Sequence, residues 1–225
     1  MVKSTISMNS FFEFFYGAIM LNFLRSFILL LFLFVFFAVS PVSAAAPDPT
    51  EQLKPVVDSV VAQLKDTEFR KRPVAEQCEQ IVKMISEHFD FHEMSKRVMG
   101  KEWRSLTAEQ QEEFVALFTK LLQYVYIGKV DDFLDKQVEY IQQRIKRDRA
   151  EVKSLFVGSD KSIPVSYIMI LRKDKWMAYD IVVEGVSLVR NYMEQIRSVM
   201  RDEKFTGLIS LLEDKIKEFE TEEKE

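Results

Sequence analysis

His88 and His92 are the only histidines in the chain. They stand four apart in His88-Phe89-Asp90-Phe91-His92, a spacing that on a helix places two imidazoles on one face, with Asp90 and Glu93 nearby. A third ligand is not evident, and Phe89 stands where the glutamate of an HExxH zinc motif would be. A Ser-His-Asp arrangement would have to use one of these histidines, and no GxSxG elbow accompanies them. Cys78 is the single cysteine, which excludes an internal disulfide framework and multi-cysteine zinc patterns. It falls on the apolar stripe of a helix and reads as a small buried hydrophobe, not a reactive thiol. Neither GxGxxG nor GxxxxGK[ST] occurs, which disfavours the common nucleotide enzymes. The expectation from these residues is a protein that is not an enzyme, with no cofactor and no metal.

The 225 residues carry 31 basic and 35 acidic side chains, a net charge of −4. Removing residues 1–46 takes away Lys3, Arg25 and Glu13, leaving 29 basic and 34 acidic side chains and a net charge of −5. That balance argues against nucleic acid as the main ligand, because phosphate binding needs a basic face. What remains is long enough for one domain with a sizeable core.

The N-terminus has the layout of a secretory signal. Phe27 to Val39 is an unbroken apolar run, preceded by Arg25 and followed by Pro41 and the small residues Ser43-Ala44-Ala45-Ala46. As a helix the run spans roughly 20 Å, short of the roughly 30 Å hydrocarbon core of a bilayer. Cleavage after Ala44 or Ala46 is expected, with residues 1–46 as the removed segment. Translation from Met20 would leave a signal of ordinary length with Arg25 as its charged region. No cysteine lies near the cleavage site, so a lipoprotein anchor is not expected.

From Asp48 the pattern is helical. Leu53, Val56, Val57, Val60, Val61 and Leu64 recur at three and four, and a second helix after Pro73 carries Val74, Cys78, Ile81, Val82 and Ile85 on one face. Phe89 to Met99 reads as a third helix closed by Gly100. Thr107 to Gln110 has the spacing of a capping box, and it opens a long helix through Phe114, Leu117, Phe118, Leu121, Leu122, Val125 and Tyr126. Gly128 reads as a bend, with Val130, Phe133 and Leu134 continuing the stripe. The character then changes. Val138 to Ile145, Glu151 to Val157, Ser162 to Arg172 and Lys175 to Val183 concentrate β-branched and aromatic residues between short polar turns, as in an antiparallel meander. Ser187 is a natural N-cap for a helix over Leu188 to Met200 and Thr206 for one over Gly207 to Phe219, before a charged tail over 220–225. The class is α+β: an antiparallel sheet of about four strands wrapped by six or seven helices.

Apolar residues on helix stripes and on a strand face suit either a filled core or a hollow one that takes a ligand. Two function classes therefore stand side by side, a carrier of an apolar molecule and an interaction module with a filled core. Residue by residue, Phe89-Asp90-Phe91, Met94, Val98-Met99-Gly100-Lys101, Trp103, Leu106-Thr107, Gln110, Phe114 and Phe118 resemble the N-terminal signature of the MlaC, or toluene-tolerance, family. Trp176-Met177-Ala178-Tyr179-Asp180, Val183-Glu184-Gly185-Val186-Ser187-Leu188, Asn191-Tyr192 and Gly207-Leu208-Ile209 with Leu212 follow its C-terminal pattern in order and spacing. The resemblance spans residues 50–219. One departure is Met193, where many relatives have Arg after the tyrosine.

The resemblance implies a soluble periplasmic phospholipid carrier, acting between an outer-membrane lipoprotein complex and an inner-membrane ABC transporter with its MCE-domain component. It also implies an apolar lipid cavity within a single domain, 47–219, and a monomer is the default state. By position, the expected lining is Phe91, Val98, Phe118, Leu122, Tyr126 and Phe133 from the helices, Val165, Tyr167 and Met169 from the third strand, and Trp176, Tyr179, Ile181, Val183 and Val186 from the fourth strand and its exit.

Overall fold

The computed structural model describes residues 47–127 and 133–222. The expected signal over 1–46, the bend at Gly128, Val130 and the end of the tail, 223–225, lie outside these residues. Helix α1 spans Pro49–Lys65, α2 Thr67–Arg70, α3 Val74–Ile85 and α4 Phe91–Met99; a 3₁₀ segment, Gly100–Ser105, leads to α5, Ala108–Ile127. Five strands follow, β1 Gln137–Lys146, β2 Arg149–Val157, β3 Ser162–Arg172, β4 Lys175–Val183 and β5 Val186–Ser187, and then α6, Leu188–Asp202, and α7, Lys204–Glu222. The described residues thus form an α+β fold of seven α-helices and a five-stranded antiparallel sheet in the order β1-β2-β3-β4-β5.

Most of the helices start where a side chain satisfies their first backbone N–H groups, while α3 follows Pro73 with no side-chain cap. Asp48 accepts from Thr50 N at 2.9 Å and Glu51 N at 3.0 Å, and Asp66 and Asp90 do the same for α2 and α4. Thr107 and Gln110 form the expected reciprocal box at the start of α5, at 3.0 and 3.3 Å. Each such cap is worth about 1 kcal/mol. Buried stripes then draw the helices onto the sheet: α1 lies against β1, β2 and β4, while α4 and α6 pack together and against β4.

Three boundaries differ from expectation for identifiable reasons. Helix α4 begins at Phe91, not Phe89, because the preceding segment joins the sheet: Asp90 N donates to Ala178 O at 2.7 Å and Ala178 N to His88 O at 2.8 Å. Helix α7 begins at Lys204, so Thr206 lies inside it and caps nothing. Only Glu203 separates α6 from α7, and its carbonyl accepts from Gly207 N at 3.3 Å. The same helix runs past Phe219 to Glu222, with Glu220 paired to Lys120 of α5 at 2.7 Å. The fifth strand, β5, is a two-residue hairpin partner of β4. Its turn needs left-handed backbone at Glu184 (φ 50°) and Gly185 (φ 82°), so Gly185 serves the turn as its residue type suggests.

Candidate functional site

Pairing in the sheet sets Val165 beside Val183, Tyr167 beside Ile181 and Val152, and Met169 beside Ala178 and Ala150. Because side chains alternate between faces, these residues and Trp176 share one face. That face meets the apolar stripes of the helices in one cluster, which includes Met94 and Val98 of α4, Phe114, Phe118 and Leu122 of α5, Ile196 of α6, and Leu208 and Leu212 of α7. Aromatic rings knit it together: Phe118 stacks on Phe114 at 5.4 Å and meets Tyr192 edge-on at 5.1 Å, while Phe133 meets Phe156 edge-on at 5.1 Å.

Tyrosine hydroxyls and one carboxylate border this layer. Burial first, and then the electrostatic effect of Tyr192 and the hydrogen bond with it, push the Tyr126 hydroxyl well above the ordinary phenol range. Burial raises Tyr192 and Tyr167 as well. The Tyr140 hydroxyl donates to Asp58 Oδ1 at 3.2 Å and is held up by burial and by that carboxylate. Asp180, buried at the junction of β4 and α6, accepts from Ser187 Oγ at 2.6 Å and from Val189 N at 3.0 Å. This carboxylate thus lies at the helix start, where it suits the helix dipole.

Twelve of the fourteen expected lining residues are in or packed against the cluster. Val98, Phe118, Leu122, Val165, Tyr167, Met169 and Trp176 are buried, while Phe91, Tyr126, Phe133, Ile181 and Val183 are half-buried. Tyr179 is a correction. Strand β3 pairs Ile168 with Asp180 and Met169 with Ala178, so Tyr179 is the extra residue of a β-bulge. Its ring lies outside the cluster under two guanidinium groups, Arg97 at 4.1 Å and Arg149 at 5.5 Å. The same bulge shifts the alternation, which is how Trp176 and Ile181, an odd number of residues apart, reach one face. Val186 is the second correction: in the β4–β5 hairpin it is 57% exposed. Tyr192, absent from the expected lining, belongs with it through Phe118 and Tyr126; its place four residues after Leu188 on a capped helix is the signal that would have found it.

The histidines do not share a helical face. His88 sits in the turn before α4, its backbone engaged by β4, whereas His92 is on α4 with its ring edge-on to Trp103 at 5.1 Å. Among the described residues no group of His, Cys, Asp and Glu has the geometry to hold a metal ion. Cys78 is buried on α3, within the apolar cluster.

The family model described as MlaC protein matches residues 54–214. This chain belongs to the MlaC family. Seven solved chains match the MlaC-family chain. Among them is the phospholipid-binding protein from Ralstonia solanacearum, solved in complex with a phospholipid; it has a TM-score of 0.71 and 25% sequence identity, with 77% of this chain and 99% of that chain covered. No curated protein matches. The match to a nearly complete relative places the whole α+β unit of this MlaC-family chain, and with it the apolar layer between sheet and helices, in a fold known to occur with phospholipid bound.

Proposed function

We propose that this MlaC-family protein is a periplasmic phospholipid carrier that holds the acyl chains between the inner sheet face and the helices. The observation that carries the reading is the match over 99% of a relative solved with a phospholipid, on a chain whose own sheet face is continuously apolar. Burying one acyl CH₂ is worth about 0.8 kcal/mol, so a chain of about sixteen carbons gains roughly 13 kcal/mol and two chains roughly 25. A carrier that left the tails in water would lose them to any bilayer, so most of both chains must be enclosed while the charged head stays near water. Side-chain packing supplies this function, without catalysis.

The export signal read from Phe27 to Ala46 fits delivery to the periplasm. There the carrier would exchange lipid with an inner-membrane ABC transporter bearing an MCE-domain component and with an outer-membrane lipoprotein complex, so preserving outer-membrane lipid asymmetry. The neutral Tyr126–Tyr192 pair lies close enough to Asp180 to feel its charge, and it offers hydroxyls to the polar end of a cargo.

Organic extraction of the purified protein followed by mass spectrometry tests the reading. Phospholipid at near one molecule per protein is the expected result. Repeated absence of lipid, together with no uptake from vesicles, would instead identify an interaction module with a filled core.

A further inference from the structure

Strands β1 to β4 form a meander, so the β1–β2 and β3–β4 turns lie at the same end of the sheet, where Leu171 N donates to Asp148 O at 2.9 Å. The two turns and their flanks, 144–151 and 172–175, hold seven basic and three acidic side chains, a net charge of +4, and Glu87, Asp90 and Glu93 from the helical side come against Arg172 and Lys175. The chain as a whole carries −4, so everything outside these two turns sums to −8 and the charge is strongly segregated.

Part of this charge is paired internally and part is not. Arg172 bonds Glu93 at 3.1 Å, Lys175 approaches Glu87 at 3.7 Å, and Arg149 approaches Asp148 at 3.7 Å. Arg144, Lys146, Arg147 and Lys173 are exposed and make no ion pair among the described residues. The nearby Asp48 is turned into the start of α1, where it also accepts from Gln143 Nε2 at 2.6 Å. The turns do not need these cations. Arg147 (φ 57°) and Lys173 (φ 46°) occupy left-handed positions that favour Asn or Gly. An apolar side chain sits beside them: Ile145 on β1 is 50% exposed.

We propose that this sheet end is an electrostatic docking face for an anionic phospholipid bilayer. Unpaired cations beside an exposed isoleucine match a headgroup surface, where cations stay with phosphates and the apolar side chain reaches the acyl boundary. Each basic residue near an anionic leaflet raises partitioning about fivefold, so four together contribute several hundredfold, and the attraction dies away within roughly 8 Å at physiological salt. The contact is therefore strong enough to concentrate the protein at a surface and weak enough to release it. Pro47 lies at the same end, its carbonyl accepting from Trp176 Nε1 at 2.6 Å, so the chain enters the domain beside this face. The docking face goes beyond the carrier reading, and only its location and its exchange partners rest on that reading.

The test is co-sedimentation of protein purified from the periplasmic fraction with vesicles of equal phosphatidylglycerol and phosphatidylcholine, and with phosphatidylcholine alone. Bound lipid per protein is measured separately, so that docking and cargo loading can fail independently. The parent is expected in the anionic pellet at low salt, with binding lost by about 0.5 M salt, where the screening length falls below about 5 Å. A variant carrying Arg144→Gln, Lys146→Gln, Arg147→Asn and Lys173→Asn is expected to bind several hundredfold more weakly. It should keep the parent's circular dichroism and melting temperature, since Asn suits the two turns. Arg144→Lys with Arg147→Lys should bind as the parent does. Equal binding of parent and neutralised variant, or of the parent to anionic and neutral vesicles, overturns the proposal. A parent that ignores anionic vesicles, while the neutralised variant loses lipid exchange with its membrane complexes, also overturns it and assigns this end to an acidic protein partner.

Discussion

Val165 is 4% exposed and Val186 57%, and the same substitution reads their surroundings differently. A carboxylate at Val186 meets water, so Val186→Glu is expected to change stability by less than about 0.5 kcal/mol and to leave lipid loading intact. At Val165 a carboxylate faces the layer where acyl chains are proposed to lie. Water entering an emptied pocket solvates it, whereas bound chains cannot. Val165→Glu is therefore expected to abolish loading from vesicles while the delipidated variant melts within about 5 °C of delipidated parent. Unfolding far below that would mark a filled core. His88 gives a second prediction at this scale. Burial first, and then nearby Lys175, lower its pKa, and its Nδ1 is buried without a hydrogen-bond partner. The unfolded chain therefore takes up this proton more readily, so the contribution to stability is full above about pH 6.5 and declines as pH falls toward the lower folded value. Melting curves between pH 7.5 and 5 are expected to show that decline, and His88→Asn to flatten it; an unchanged slope in the variant would remove His88 as its source.

Elements, more than single residues, are legible in the sequence, because burial imposes a period on a long segment. The alternation in residues 138–183 predicts four strands in sequence order, and the stripe from Phe114 to Tyr126 predicts α5, as the fold shows. What was not legible depended on pairing between segments. Phe89 looks helical from its neighbours, yet the backbone on either side of it, at His88 and Asp90, bonds to Ala178, a partner far away in sequence. The bulge at Tyr179 arises from how β3 and β4 align, which no local period encodes. Ser187 shows the opposite case, a cap readable from residue type alone. Its hydroxyl accepts from Arg190 N at 3.0 Å and donates to Asp180 Oδ2 at 2.6 Å. Ser187→Ala removes the cap and one donor to a buried carboxylate, so a loss of about 2–3 kcal/mol is expected in denaturant unfolding. Asp180→Asn with Ser187→Ala should cost less than the sum of the single changes, since the two act through one bond. Strict additivity would show that the bond does not couple β4 to α6. Gly207 sits where α6 passes into α7, and a Cβ there would collide with Glu203 Cβ. Gly207→Ala is accordingly expected to lower the melting temperature, against the usual helix preference for Ala.

For the molecule as a whole, the proposed cargo and the core share one space, so loading and stability are linked. Lipid that binds the folded chain alone stabilises it by mass action, about 2.7 kcal/mol when free ligand stands at a hundred times its Kd. In a domain of this size each kcal/mol moves the melting temperature by roughly 2–4 °C, so a loaded sample should melt roughly 5–10 °C above a delipidated one. A filled core predicts no shift, because lipid would then touch only the surface. The aromatic contacts of Phe118 with Phe114 and Tyr192 sit where α5 and α6 meet the proposed chains. Phe118→Ala therefore has two effects that delipidation separates. It leaves a cavity costing about 3–5 kcal/mol in the empty domain, and bound acyl chains are expected to refill part of it. The measurement is the melting temperature of parent and variant, each delipidated and reloaded from the same vesicles. The shift on loading is expected to be larger in the variant than in the parent. An equal or smaller shift would place Phe118 away from the cargo and confine its role to packing between α5 and α6.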